Sequence, residues 1–328
     1  MGGTPFRLKL KCEANIFIFF LFMKRRIFSP LLFAALLFLT PIAPQGQQAV
    51  PAQIEVKTNA ASLRNAELNS KLMRRKMSYQ VIIPPNYESE KTIRFPVLYL
   101  LHGLGGHYDN WASKTNLTKH AAEHRIILAM PEGGDGWYSD SAIQPNDKYE
   151  SYIIQELVPE IDKNYRTVAE KRGRAIAGLS MGGFGALKFG VKYPQMFALA
   201  ASMSGAVAAA SYRTSDELPN NEWLRKSIVA VFAAPENPVR EENDLFKLLG
   251  EIPPEKTAAL PFLYLDCGTE DQLGFLSHNQ QLAQILVTRK IPHEFRQLPG
   301  KHDWTFWNNQ VQEVLRLSSK IFAANNKQ

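Results

Sequence analysis

Cysteine is nearly missing from this chain: among 328 residues there are two, Cys12 and Cys267. That excludes a disulfide-stapled scaffold, and no Cys/His spacing has the form of a zinc site, so no metal is expected. Cys267 stands between Asp266 and Gly268 after an apolar run and reads as a small buried hydrophobe at a strand end. Internal repeats and low-complexity tracts are also missing, which excludes repeat arrays and fibrous folds. The body has no basic stripe interleaved with aromatics. The formal charge is +7, but Arg7, Lys9, Lys11, Lys24, Arg25 and Arg26 stand against only Glu13 in residues 1–52. Without that segment the chain is close to neutral, and nucleic acid is not an expected partner.

What the first fifty residues do have is an ordered pattern. Lys24-Arg25-Arg26 precede a run, 27–39, that is apolar except for Ser29 and Pro30, and small and polar residues follow over 40–53. Basic, apolar, then small is the order of a secretory signal, so 1–52 is expected to direct export and to be cleaved. An uncleaved N-terminal anchor is the alternative, and the only expected route to a membrane. An upstream apolar run, 16–23, is too short to span a bilayer. Met23 directly precedes the basic cluster and is the expected true start. Residues 53–70 are polar and weakly patterned and read as a linker. The remainder, 71–328, is long enough for a single α/β domain.

Along that body, apolar runs alternate with helical spacing. Strands are expected over 77–83, 95–101, 126–130, 174–179, 197–203, 261–266 and 293–298. Helices are expected over 111–124, 149–165 (tolerating Pro159), 184–193, 277–289 and 308–323. Alternation of this kind implies a mainly parallel central sheet with helices on both faces. Residues 206–260 are rich in proline and charge and break the pattern. They read as an insertion over the active-site edge.

The stretch richest in chemistry is Gly178-Leu179-Ser180-Met181-Gly182-Gly183. It has the form G-x-S-x-G, follows apolar Ala175-Ile176-Ala177, and opens a small-residue helical segment. A serine at a strand-to-helix turn takes a strained backbone, and flanking glycines remove the side chains that would clash there. The strain lifts the hydroxyl clear of the sheet. The competing reading is a glycine-rich turn with Ser180 as a mere helix N-cap. A base and an acid elsewhere in the chain favour the first.

A serine hydroxyl needs a general base, and the base needs an acid to fix its tautomer. In the α/β-hydrolase arrangement the chain order is Ser, acid, His. Three histidines follow Ser180: His278, His293 and His302. His302 lies just past the last strand, where the base belongs; His293 is at the wrong end of that strand, and His278 opens a helix. For the acid, Asp266, Glu270 and Asp271 all lie at or just after a strand end, and spacing leaves them open. The oxyanion needs backbone N–H donors. Met181, directly after the nucleophile, is one, and Leu104 in the loop His102-Gly103-Leu104-Gly105-Gly106 is the other; His102 itself reads as structural. Trp111, Trp137, Tyr138 and Trp304 lie near these loops and are candidate substrate contacts.

Taken together, Tyr99-Leu100-Leu101-His102-Gly103-Leu104-Gly105-Gly106, Trp137-Tyr138-Ser139-Asp140, the serine turn, Gly268-Thr269-Glu270-Asp271 and Gly300-Lys301-His302-Asp303-Trp304 resemble the esterase D family over about residues 70–320. That family includes S-formylglutathione hydrolases, carboxyl-, feruloyl and acetylxylan esterases, and mycolyltransferases. The resemblance implies the α/β-hydrolase fold and a Ser180, Asp271, His302 triad. It also implies Leu104 and Met181 as oxyanion donors, and no metal or organic cofactor. The expectation is an exported serine carboxylesterase acting on a small-molecule or saccharide-linked ester. The alternatives are an acyltransferase that passes the acyl group to a sugar or lipid alcohol, and a non-catalytic binding protein on the same scaffold.

Overall fold

Every residue of the runs 97–101, 127–131 and 199–203 is buried, which is what continuous apolar strands require of a sheet covered on both faces. The computed structural model describes residues 60–325. The expected signal segment 1–52 and Met23 lie outside them. The described residues form eight strands: β1 (Ser62–Ser70), β2 (Arg75–Ile83), β3 (Val97–Leu101), β4 (Ile127–Pro131), β5 (Arg174–Leu179), β6 (Leu199–Met203), β7 (Phe262–Gly268) and β8 (His293–Leu298). They form one sheet in the order β1-β2-β4-β3-β5-β6-β7-β8. The first two pairings are antiparallel and the rest parallel. This is the α/β-hydrolase fold.

Side chains alternate between the two faces. Val97, Tyr99 and Leu101 join the cluster that contains the helix Met181–Lys192, while Leu98 and Leu100 join Val311, Val314 and Leu315 of the C-terminal helix Trp304–Asn325. Each fully buried Leu, Val or Phe in these layers contributes roughly 1.5–3 kcal/mol.

Two expectations need correction. Residues 53–70 are not all linker: β1 occupies Ser62–Ser70. Its sequence lacks an apolar run because it is an exposed edge strand, held by a nine-residue antiparallel ladder to β2 rather than by burial. The single helix over 111–124 is instead two short ones, Asn110–Lys114 and Leu117–Ala121. Thr115 breaks them apart: its hydroxyl donates to the Trp111 carbonyl and accepts from the Leu117 N–H. The helical run over 149–164 is continuous but passes through a π-helical turn, Ile153–Leu157, before Pro159. The wider turn accommodates a ring and a missing N–H that the regular ladder cannot.

The strand order creates the crevice. From β3 the chain goes to β4 on one side, then returns to β5 on the other. Loops leaving β3 and β5 therefore diverge at a topological switch point, where α/β sheets bind ligands. Close packing of the helix Met181–Lys192 brings those loops together. A Cβ on Gly182 would lie 2.4 Å from the Leu101 carbonyl oxygen, and one on Gly178 would lie 2.4 Å from Gly182. Only glycine permits that approach. The insertion 206–260 holds a 3-10 turn, Ser215–Glu217, and four short α-helices, of which Glu222–Phe232 begins at the crevice.

Candidate active site

Ser180 sits at the end of β5 with φ 53° and ψ −117°, a backbone that L side chains rarely adopt. Two contacts fix it: its N–H donates to the Met203 carbonyl on β6 (2.9 Å), and its own carbonyl accepts from Ala206 and Phe184 (both 3.1 Å). The expected elbow is therefore present, and Ser180 is not a side-chain N-cap.

From β8 the chain turns at Gly300 and delivers His302 to the same point. The Ser180 Oγ lies 3.0 Å from His302 Nε2, and His302 Nδ1 lies 2.8 Å from Asp271 Oδ2. A carboxylate only accepts, so Nδ1 carries the proton and donates it to Asp271. That leaves the Nε2 lone pair to accept from the serine hydroxyl. The Asp271 side chain is fully buried, and its Oδ1 accepts from the Leu273 N–H at 2.9 Å. Phe275 and Trp307 present their rings edge-on to the imidazole, with centroids 5.2 and 4.9 Å away, and hold it in plane with its partners.

The other carboxylates do not reach the histidine. Asp266 lies within β7 and is fully buried beside Tyr264; burial pushes its carboxyl up to about 8. Glu270 is exposed to solvent. Among the other histidines, His293 begins β8 and its Nδ1 faces the Ile291 carbonyl at 2.8 Å. His278 lies in the helix Phe275–Thr288 against Tyr212. Cys267 is buried as expected, with its sulfur 3.7 Å from Asp271 Oδ2; burial pushes the thiol up, so it stays protonated.

Leu104 and Ser180 line one pocket of about 320 Å³, within the usual size range of small-molecule sites. The loop is close enough that a Cβ on Gly103 would touch Ser180 Cβ at 3.4 Å. Met181 opens the following helix, so its N–H belongs to the first turn and has no partner within the helix. The arrangement can thus generate a serine nucleophile and offer N–H donors beside it. Among the described residues no group of three or more His, Cys, Asp or Glu could hold a metal ion.

Of the four aromatic candidates, only Trp304 lines the pocket. Trp111 is fully buried beneath it: its Nε1 donates to the Leu101 carbonyl (3.1 Å), and its ring stands edge-on to Trp304. Trp137 is buried between Phe184 and Phe232, with its Nε1 donating to Ser227 Oγ at 3.2 Å. Tyr138 is buried too, and its hydroxyl donates to the His102 carbonyl at 3.1 Å. These three aromatics build the walls beneath the site and do not touch its opening. His102 is structural: its Nε2 accepts from the Gly133 N–H and its Nδ1 donates to the Gly103 carbonyl, both at 2.8 Å.

The sequence reading missed the apolar lining residues Trp223, Leu224, Leu273, Phe275 and Trp307, and the polar Asn110, Lys114 and Asn221. Trp223 and Leu224 come from the insertion, where Asn221 caps the helix by accepting from the Leu224 N–H. The placement of 206–260 over the active-site edge was the available signal. Trp223 is 55% exposed and leans on Gly105.

Comparison with known proteins places the chain among esterases. The family model described as "Putative esterase" matches residues 70–317. Two esterases of Mycobacterium tuberculosis strains are 35% identical over 246 residues, covering 68% of this chain and 51% of theirs. The chain therefore spans about half the length of those relatives. An acetyl esterase of Caldicellulosiruptor saccharolyticus is 25% identical over 260 residues, covering 77% of this chain and 96% of its own. A solved ferulic acid esterase superposes with a TM-score of 0.67 at 28% identity, covering 80% of this chain and 99% of that one.

Proposed function

The chain belongs to the esterase family whose model spans residues 70–317, and from that premise we propose that it is a serine carboxylesterase with Ser180 as nucleophile, His302 as general base and Asp271 as the orienting acid. The observation that carries this reading is the 3.0 Å approach of Ser180 Oγ to His302 Nε2, made from a left-handed backbone. Ser180 Oγ attacks the acyl carbon while His302 Nε2 takes its proton, and Asp271 stabilises the imidazolium. The carbonyl oxygen becomes an oxyanion facing the Leu104 and Met181 N–H groups. Collapse breaks the ester C–O bond, and His302 returns the proton to the leaving alcohol. Water then attacks the acyl-enzyme by the same route, releasing the acid and restoring Ser180.

Relatives named acetyl esterase and ferulic acid esterase support a carboxylic ester with a short or an aromatic acyl group. The pocket walls Trp223 and Trp304 are suited to an aromatic acyl group, since aromatic faces stack on sugars and on aromatic acids alike. The basic–apolar–small order of residues 24–53 supports export.

Turnover of p-nitrophenyl esters of rising chain length, feruloyl esters and acetylated sugars tests the reading, with Ser180→Ala as control. Adding an alcohol acceptor and analysing products separates hydrolysis from acyl transfer. A Ser180→Ala protein as active as the parent overturns the proposal. Recovery of the chain in the cytosolic fraction with residues 24–53 still attached overturns the export part alone.

A further inference from the structure

Lys188 is fully buried in the helix that Ser180 opens, yet it does not line the pocket. Its ammonium group donates to Glu150 Oε2 (2.7 Å), Ser139 Oγ (2.6 Å) and the Tyr138 carbonyl (2.7 Å). Three donors meet three acceptors, so the charge is fully partnered. Two of those partners belong to one turn. Trp137 and Tyr138 both take left-handed backbone, φ 50° and 49°, which two consecutive L residues adopt only when held. Ser139 completes the hold by donating to the Trp137 carbonyl at 3.0 Å.

The turn sends the Tyr138 ring inward. Cβ atoms on Gly133 and Gly185 would lie 2.5 and 2.8 Å from that ring, so both positions leave it room. The hydroxyl ends on the His102 carbonyl at 3.1 Å. The same carbonyl also packs on Gly182, whose Cβ would lie 2.6 Å away. His102 opens the glycine-rich loop that carries Leu104. Such a loop has wide conformational freedom, and a donor N–H lowers a barrier only when already aimed. The other end of the loop is fixed separately, by the Gly105 N–H donating to Asp135 Oδ1 at 2.7 Å.

We propose that Tyr138 is a positioning residue for the oxyanion hole, fixing the His102 carbonyl and through it the direction of the Leu104 N–H, with Lys188 anchoring the turn that presents it. The carbonyl and the Gly103 nitrogen share one rigid peptide plane. The Leu104 N–H lies in the following plane, with the Gly103 carbonyl, which accepts from His102 Nδ1 (2.8 Å) and from the Gly106 N–H (3.0 Å). Holding the His102 oxygen fixes the plane from which that one departs. Lys188 lies on the same helix that supplies the Met181 N–H, so one element governs both donors. The inference rests on the serine-esterase reading above.

Tyr138→Phe removes one hydroxyl and leaves the ring in place. Removing an oxyanion donor outright costs about 100- to 1,000-fold in kcat; loosening one by this route is expected to cost roughly 10- to 100-fold, with KM nearly unchanged. The inhibition constant of a trifluoromethyl ketone, which forms a tetrahedral adduct on Ser180, should rise by the same factor as kcat/KM falls. Affinity for the carboxylic acid product should stay the same. A merely structural role would not produce that split. Wild-type kcat and ketone affinity in Tyr138→Phe overturn the inference while leaving the esterase reading intact. An inactive parent enzyme overturns both. Should Tyr138→Phe fail to fold, Ser139→Ala decides: a loss in kcat alone supports the relay, and parental kcat overturns it.

Discussion

Ser180 Oγ and His302 Nε2 lie 3.0 Å apart across 122 residues of chain. Both sit at carboxyl ends of strands, β5 and β8, that are separated by two others in the sheet. The short turn through Gly300 after β8 brings them together, and Asp271 receives the histidine at its far side.

If that contact generates the nucleophile, Ser180→Ala and His302→Ala should each lower kcat by about three orders of magnitude or more. His293→Ala should leave it unchanged, because that ring serves only the start of β8. Steady-state hydrolysis of p-nitrophenyl acetate, with thermal melts confirming fold, reads all three. Loss in His293→Ala with retention in His302→Ala would reverse the assignment of the base.

The two aspartates should separate cleanly. Asp271→Asn places an amide opposite Nδ1 and favours the wrong tautomer, so kcat should fall by about 10⁴-fold. Asp266→Asn should retain activity and change the pH dependence of stability instead. Burial raises the Asp266 carboxyl from 3.8 to about 8, so the folded chain holds a proton that the unfolded chain releases. Its contribution is fully present below pH 3.8, declines as pH rises, and is gone above about 8. Urea midpoints between pH 4 and 8 should be less pH-dependent in Asp266→Asn.

Glu150 has the opposite sign. Burial alone would raise its carboxyl, but the Lys188 and Lys192 ammonium groups together outweigh that and hold it at about 2. Its contribution is present above the ordinary value of 4.5 and lost as pH falls toward 2. Glu150→Gln strands the buried Lys188 and should cost about 3–5 kcal/mol. That variant's melting temperature should also lose much of its acid sensitivity between pH 4.5 and 2.

The aromatic residues divide by location. Trp304→Ala and Trp223→Ala open the pocket and should raise KM for aromatic acyl esters more than for acetyl esters. Trp111→Phe lies beneath the pocket and loses its bond to the Leu101 carbonyl. It should cost about 1–3 kcal/mol of stability with little change in the ratio of KM values. Equal shifts in that ratio for Trp111 and Trp304 variants would contradict the division.

Much of this was written locally. Residues 97–101 and 174–179 are apolar enough to be central strands whatever surrounds them. The glycines around Ser180 announce a close approach because no other residue fits there. The order of serine, carboxylate loop and histidine is also a property of the chain. What the sequence alone determined, then, is the sheet, the elbow and the set of groups that could meet on it.

Tertiary structure decided the choices within that set. Side chains along a strand alternate in direction, so Asp266 turns with Tyr264 toward the C-terminal helix, while Asp271, beyond the strand end, is free to reach His302. Trp111, Trp137 and Tyr138 are as near the loops in sequence as Trp304, but packing from distant segments buries them. Trp223 reaches the pocket only because the insertion folds back over the loop after β3. Burial is set by what the rest of the chain places against a residue, and no local stretch contains that information.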